Sequence, residues 1–184
     1  MPRRTKPDAV ALIKEDHRKV EGLFASFEKA RDEDRKKALA REICTELTIH
    51  AMIEEEILYP ACQGKIEDED VLDEAYVEHD GAKVLISEIM SNINARFFEA
   101  KVTVLSEMIK HHVKEEEKRS EGLFAKAKEA GLDMEGLGER MMQRKQELME
   151  QFGEGDNLPT PETRSFTGHE LQQGKPLESS EARH

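Results

Sequence analysis

Four histidines limit what this chain can become. His17, His50, His79 and His112 lie in four separate stretches that repeat apolar residues at steps of three and four, and each histidine falls on the apolar stripe of its own stretch. A buried imidazole without a partner is costly, so a fold that hides four of them must bring them to each other or to something all can bind. Two stretches add a carboxylate. In His50-Ala51-Met52-Ile53-Glu54 and in His112-Val113-Lys114-Glu115-Glu116 a glutamate follows the histidine by four residues. That is about 6 Å along a helix and on the same face.

The stripes predict the helices. The first begins near Asp8, a good N-cap, and carries Ile13, Val20, Phe24 and Phe27 beside His17. The second runs from about Arg35, behind Asp34, to about Ala61, where Pro60 would kink or end it and Gly64 suits a left-handed turn. The third opens at Asp68-Glu69-Asp70 and carries Leu72, Ala75, His79, Ala82, Ile86, Ile89, Ile93 and Phe97. The fourth runs from about Glu99 to about Ala130, with Val102, Leu105, Ile109, His112, Glu116, Leu123 and Ala127 on one face. The adjacent His111 shares a half-polar face with Val104, Met108, Glu115 and Lys118, so His112 is read as the inward residue. Asp133 caps a further helix to about Phe152, and from Gly153 periodicity gives way to Gly, Pro, Ser, Thr and charge. The expected fold is all-α: an antiparallel up-down four-helix bundle over residues 1–131, an additional C-terminal helix over 132–152 and a disordered tail over 153–184.

Charge narrows the partners. With 28 Lys+Arg against 40 Asp+Glu the net charge is -12, which disfavours nucleic acid and anionic membrane. No apolar run approaches the roughly 20 residues needed to span a bilayer, and none follows the basic start Met1-Pro2-Arg3-Arg4-Thr5-Lys6, so a cytoplasmic location is expected. Cys44 and Cys62 would lie about 27 Å apart on one helix at 1.5 Å per residue, too far to pair, and read as small buried side chains.

Six candidate metal-ligating residues remain: His17, His50, Glu54, His79, His112 and Glu116. Imidazole and carboxylate without thiolate suit iron or manganese and tolerate zinc. Six side chains are too many for one tetrahedral zinc but serve two ions if each carboxylate bridges. Ferritin-like bundles use two E-x-x-H units, a spacing found here only in the tail, at Glu181 and His184.

The pattern resembles the hemerythrin-like, or HHE, cation-binding domains over roughly Asp8 to Ala130. The resemblance rests on Asp16-His17-Arg18, on His50-x-x-x-Glu54 with Glu55-Glu56 and Leu58-Tyr59-Pro60, on Glu78-His79-Asp80 and on His112-x-x-x-Glu116. It implies a non-haem di-iron centre, with His17 and His50 on one iron, His79 and His112 on the other, and Glu54 and Glu116 as bridges. Oxygen-carrying hemerythrins use a fifth histidine one turn before that of the third helix; here that position is Ala75, and the position one turn after is Lys83. Glu78, Tyr76 and Glu74 are the residues that could substitute.

The resemblance implies a protein that binds two iron ions and binds or senses O2, peroxide or NO. One alternative is a di-iron enzyme that disproportionates peroxide or oxidises ferrous iron. Another is an interaction protein with a structural metal, whose protein partner the sequence does not name.

Overall fold

The computed structural model describes residues 8–155 and 157–168, with Gln172 and Gly174; the basic arm, His169 and the Glu181–His184 spacing lie outside the described residues. Every regular element among the described residues is helical: α1 (Ala9–Lys29), α2 (Glu33–Ile53), a π-helical turn (Glu54–Leu58), α3 (Tyr59–Cys62), α4 (Asp70–Ser91), α5 (Phe98–Glu116), α6 (Leu123–Glu129) and α7 (Met134–Phe152). The starts follow N-cap chemistry. Asp8 accepts from the Ala11 amide at 2.8 Å and Asp133 from that of Gly136 at 3.0 Å. On α2 the cap is Asp32, accepting from Arg35 at 2.8 Å, two residues before the Asp34 expected from sequence.

The bundle consists of α1, α2 with its π turn and α3, α4 and α5. In it α1 packs on α2, α2 on α4, α4 on α5 and α5 on α1, a closed ring of neighbours. The expected second helix does continue past Pro60, because the preceding turn is wide: the Tyr59 amide donates to the Glu54 carbonyl, five residues back. Gly64 (φ 69°) then reverses the chain.

Two sequence expectations on helix length are corrected. The third stripe does not reach Phe97: α4 stops at Ser91, where the Asn92 side chain accepts from the Asn94 amide at 3.2 Å, and Phe97 is exposed. The fourth helix does not run to Ala130. It ends at Glu116, and the chain folds back so closely that a Cβ on Gly122 would collide with the Glu115 and Glu116 carbonyl oxygens; α6 starts afresh at Leu123.

Buried apolar residues form two clusters. One, around Ile13, Ile53, Tyr59, Leu72 and Leu123, is sealed from outside by α6 and α7 through Phe124, Met141 and Leu148. The other, around Val20, Phe24, Leu39, Ile86, Leu105 and Ile109, fills the opposite half. On α1, Ile13 belongs to the first cluster, Val20 to the second, and His17 lies between; on α4, Ala75, His79 and Ala82 run in the same order. A polar layer therefore crosses the bundle where the two clusters meet.

The segment read from sequence as disordered is, over 157–168, an extended strap laid on the bundle. Asp80 accepts from the amides of Arg164 (2.8 Å) and Ser165 (2.6 Å) and from the Ser165 hydroxyl (2.7 Å), and Leu158 packs against the second cluster. Irregular composition removed the helix, yet a buried carboxylate and an apolar patch still hold the backbone in place. Among the described residues no helix is long and apolar enough to cross a membrane.

Candidate metal centre

The polar layer gathers all six residues singled out by the stripes. His17, His50, Glu54, His79, His112 and Glu116 are all buried, and two groups of donor atoms, His17 with His50 and Glu54, and Glu54 with His79 and His112, each lie within 4.8 Å of one another. The Nε2 atoms face inward. Glu54 Oε2 is 3.2 Å from His50 Nε2 and 3.3 Å from His79 Nε2, so this one carboxylate touches both halves. Glu116 Oε2 lies 3.5 Å from His17 Nε2 and 3.5 Å from His112 Nε2 and does the same from α5. His79 Nε2 and His112 Nε2 are 3.2 Å apart.

Each histidine is backed by a second carboxylate on its Nδ1 side. Glu117 lies 2.8 Å from His17 Nδ1, Glu55 2.9 Å from His79 Nδ1 and Glu78 2.8 Å from His112 Nδ1. Asp16 stands 3.7 Å from His50 Nδ1, an ion-pair distance beyond hydrogen-bond reach. The four form a cycle. Asp16 of α1 serves α2, Glu55 beyond α2 serves α4, Glu78 of α4 serves α5, and Glu117 after α5 serves α1. Each is the sequence neighbour of one inner residue and the support of the next helix's histidine. An ionised carboxylate only accepts, so at His17, His79 and His112 it keeps a proton on Nδ1 and turns Nε2 toward a cation. Cations in turn hold these carboxylates: Lys145 of α7 pairs with Asp16, Lys83 (2.7 Å) and Arg164 (2.9 Å) with Glu55, and Arg18 (2.6 Å) with Glu117.

Electrostatics follow from this crowding. Burial works against charge on His50, but the charge of Glu54 and its contact at Nε2, with the nearby Asp16 carboxylate, prevail and lift its pKa to about 10. For His79 the same contest, won by hydrogen bonds to Glu54 and Glu55, gives about 9. Burial would raise Glu54, yet His50 and His79 hold it well below the carboxylate range.

The seventh inner group is Tyr59, fully buried, whose hydroxyl lies 3.0 Å from Glu116 Oε1, 3.1 Å from His79 Nε2 and 3.2 Å from Glu54 Oε2. Sequence reasoning missed it. Burial, then the charges of Glu116 and Glu54, push the phenol well above its ordinary pKa, so it keeps its proton. It faces the half of the site that lacks a fifth histidine. Of the substitutes proposed from sequence, Glu78 backs His112 and the exposed His111, Tyr76 meets the Tyr59 ring edge-on at 5.1 Å and Glu74 is exposed; at the two positions without the histidine, Ala75 packs in the first cluster and Lys83 pairs with Glu55. Cys44 and Cys62 are free and buried, each thiol pushed up to about 12 chiefly by burial.

The donor set suits a cation. Among the described residues, His17 Nε2, Glu54 Oε1 and Glu116 Oε2 of the inner ring are buried without a hydrogen-bond partner, as are His50 Nδ1 and Asp16 Oδ2 behind it and Ser106 Oγ. Unpaired buried acceptors and imidazole nitrogens are costly unless something positive sits among them.

Comparison with known proteins agrees. A DNA nickase of Nostoc sp. (strain PCC 7120) is 32% identical over 107 residues, which is 58% of this chain but 30% of that protein, so the chain spans less than a third of that relative. The crystal structure of a hemerythrin HHE cation-binding-domain protein from Mycobacterium kansasii superposes with a TM-score of 0.63 over 79% of this chain and 89% of that one, at 23% identity, a likeness of fold. The model of the hemerythrin HHE cation binding domain matches residues 8–127, the whole of the bundle and its donor ring, and the chain belongs to that family.

Proposed function

We propose that this protein binds two iron ions in the donor ring and uses the pair to bind or sense a small oxidant or diatomic ligand: O2, peroxide or NO. Membership of an HHE family supports cation binding. The observation that carries the finer reading is that Glu54 and Glu116 each touch a histidine from both halves of the ring while Glu54 Oε1 and Glu116 Oε2 lack partners. Two carboxylates so placed are suited to bridge two cations. His17 and His50 would hold one, His79 and His112 the other. Iron, when bound, supplies redox chemistry and an electrophilic position for the ligand. The chain's own residues fix the imidazole tautomers through the carboxylate cycle and keep a proton at the Tyr59 hydroxyl.

That proton supports a second reading, peroxide disproportionation, because a buried neutral phenol beside the second half can hold and return a proton at its oxygen. Against nucleic acid as substrate stands the net charge of -12; nicking is the property of a relative more than three times the length matched.

Metal analysis of the purified protein, with its near-ultraviolet and visible spectrum, tests the proposal. The expected result is two irons per chain with ferric charge-transfer absorbance; one zinc, or no metal after reconstitution, overturns it. Catalytic O2 release from peroxide, against a stoichiometric and reversible spectral change with O2 or NO, separates the two readings.

A further inference from the structure

One face of the donor ring opens on a cavity of about 600 Å³ that enters the second apolar half. Asp16, His50 and His79 stand at one end; Val20, Leu47, Ala82, Ile86 and Ile109 form the walls. On α4 the lining runs from His79 to Ser91, about 18 Å at 1.5 Å per residue. The roof is the strap, from Leu158 through Pro159-Thr160-Pro161 to Arg164. Lys83 fastens it by donating to the Glu162 carbonyl at 2.8 Å, and Asp80 holds Arg164 and Ser165.

This chamber is out of scale with a diatomic ligand. A water-sized molecule occupies roughly 30 Å³, about a twentieth of the space, whereas pockets for organic ligands run ~300–1,000 Å³ with mostly apolar walls and a few convergent polar groups. Its walls are more apolar than polar, with hydroxyls only at Thr48, Ser87, Ser91 and Thr160, and an apolar space left unfilled costs stability. Its polarity is also divided lengthwise. Imidazoles, carboxylates, Lys83 and Arg164 cluster at the ring end, while the remainder is lined mainly by apolar side chains with the hydroxyls of Thr48, Ser87, Ser91 and Thr160 among them.

We propose that the chamber binds an unbranched aliphatic molecule of medium chain length with a small oxygen-bearing end. The chain lies along Ala82, Ile86 and Met90 under the strap, and the polar end faces the donor ring between His50 and His79. Both a carboxylate and an alcohol have this chemistry. The strap is held mainly by polar contacts at its C-terminal end, so it can part from the bundle without disturbing the helices.

The inference concerns a site beside the proposed iron pair, and its test is independent of that proposal. Iron-loaded full-length protein is titrated calorimetrically with decanoate, decanol and, as a short control, butanol, and iron is counted in the same samples. The expected result is saturable one-to-one binding of decanoate or decanol and none of butanol. Ile86→Trp, which fills the chamber, is expected to weaken it by about tenfold or more with iron content unchanged. Should that variant not fold, Ala82→Leu makes the same test nearer the ring. Absence of saturable binding by either ten-carbon ligand overturns the inference, as does undiminished binding in a folded, chamber-filled variant. Chain binding without iron would leave this inference standing and remove the proposed function; two irons without chain binding would do the reverse.

Discussion

The two halves of the donor ring share their chemistry and differ in their surroundings. His17 and His50 come from helices sealed by α7, and their backing carboxylates are held by Lys145 of α7 and by Arg18. In the other half His79 meets the Tyr59 hydroxyl, and Glu55 behind His79 is held by Lys83 and by Arg164 of the strap. In the first half both supports are helical; in the second a phenol sits within the donor set and one support belongs to an irregular segment. The same ligand type can thus serve unequal tasks. We expect the first half to hold its cation and the second to exchange ligands.

The largest effect should come from a residue that both halves share. Glu54→Ala is expected to remove nearly all bound iron, because Glu54 contacts both His50 and His79; His17→Ala, confined to one half, should leave close to one iron per chain. Equal retention in both variants, measured by metal analysis, would dissolve the distinction between shared and private ligands. Tyr59→Phe comes next. Losing the hydroxyl that contacts three inner groups should weaken the second cation by about 10–100-fold, the range seen when a metal site's supporting hydrogen bonds are removed, with the first barely altered. Stepwise metal titration checks this, and equal weakening of both would make the halves alike.

The bundle and the six converging donors were legible from the 3.6-residue period, because a histidine on each of four stripes has few packings that satisfy it. Tyr59 was not. In a regular α-helix, five residues at 100° each would turn it about 140° away from Glu54; the π turn brings the fifth residue back to the face of the first, and stripe counting assumes a constant period. Pro60, which removes an amide just after, was the local sign that the period breaks. The carboxylate cycle was hidden by abundance, since 40 acidic residues give no spacing that stands out. Its signal was adjacency: Asp16, Glu55, Glu78 and Glu117 each neighbour an inner residue. The end of α5 escaped because Leu123 and Ala127 keep the stripe's period beyond a turn that only the backbone contacts of Gly122 reveal.

The cycle offers a finer test. Asp16→Asn and Glu55→Gln keep size and remove charge, and each should lower metal affinity about tenfold in its own half. If Asp16→Asn weakens the His79 half as much, support travels around the whole ring and the halves act as one.

The smallest expected effect is proton linkage, and its sign is set by the imidazoles. His50 and His79 are raised from 6.5 to about 10 and about 9, so both are protonated at neutral pH when no cation sits among the donors. Their contribution to stability without a cation is complete below about 6.5 and is lost as pH rises through 9 to 10. A cation at Nε2 must displace these protons, so metal binding should release protons at pH 7 and its affinity should rise with pH up to about 9–10, by up to tenfold per unit for each proton displaced. His50 belongs to the first half and His79 to the second, so both steps of a stepwise titration in weakly buffered solution should acidify the medium. Acidification in one step alone would mean that the two imidazoles do not lose their protons to separate cations, and the division into halves would have to be redrawn around the pair that does.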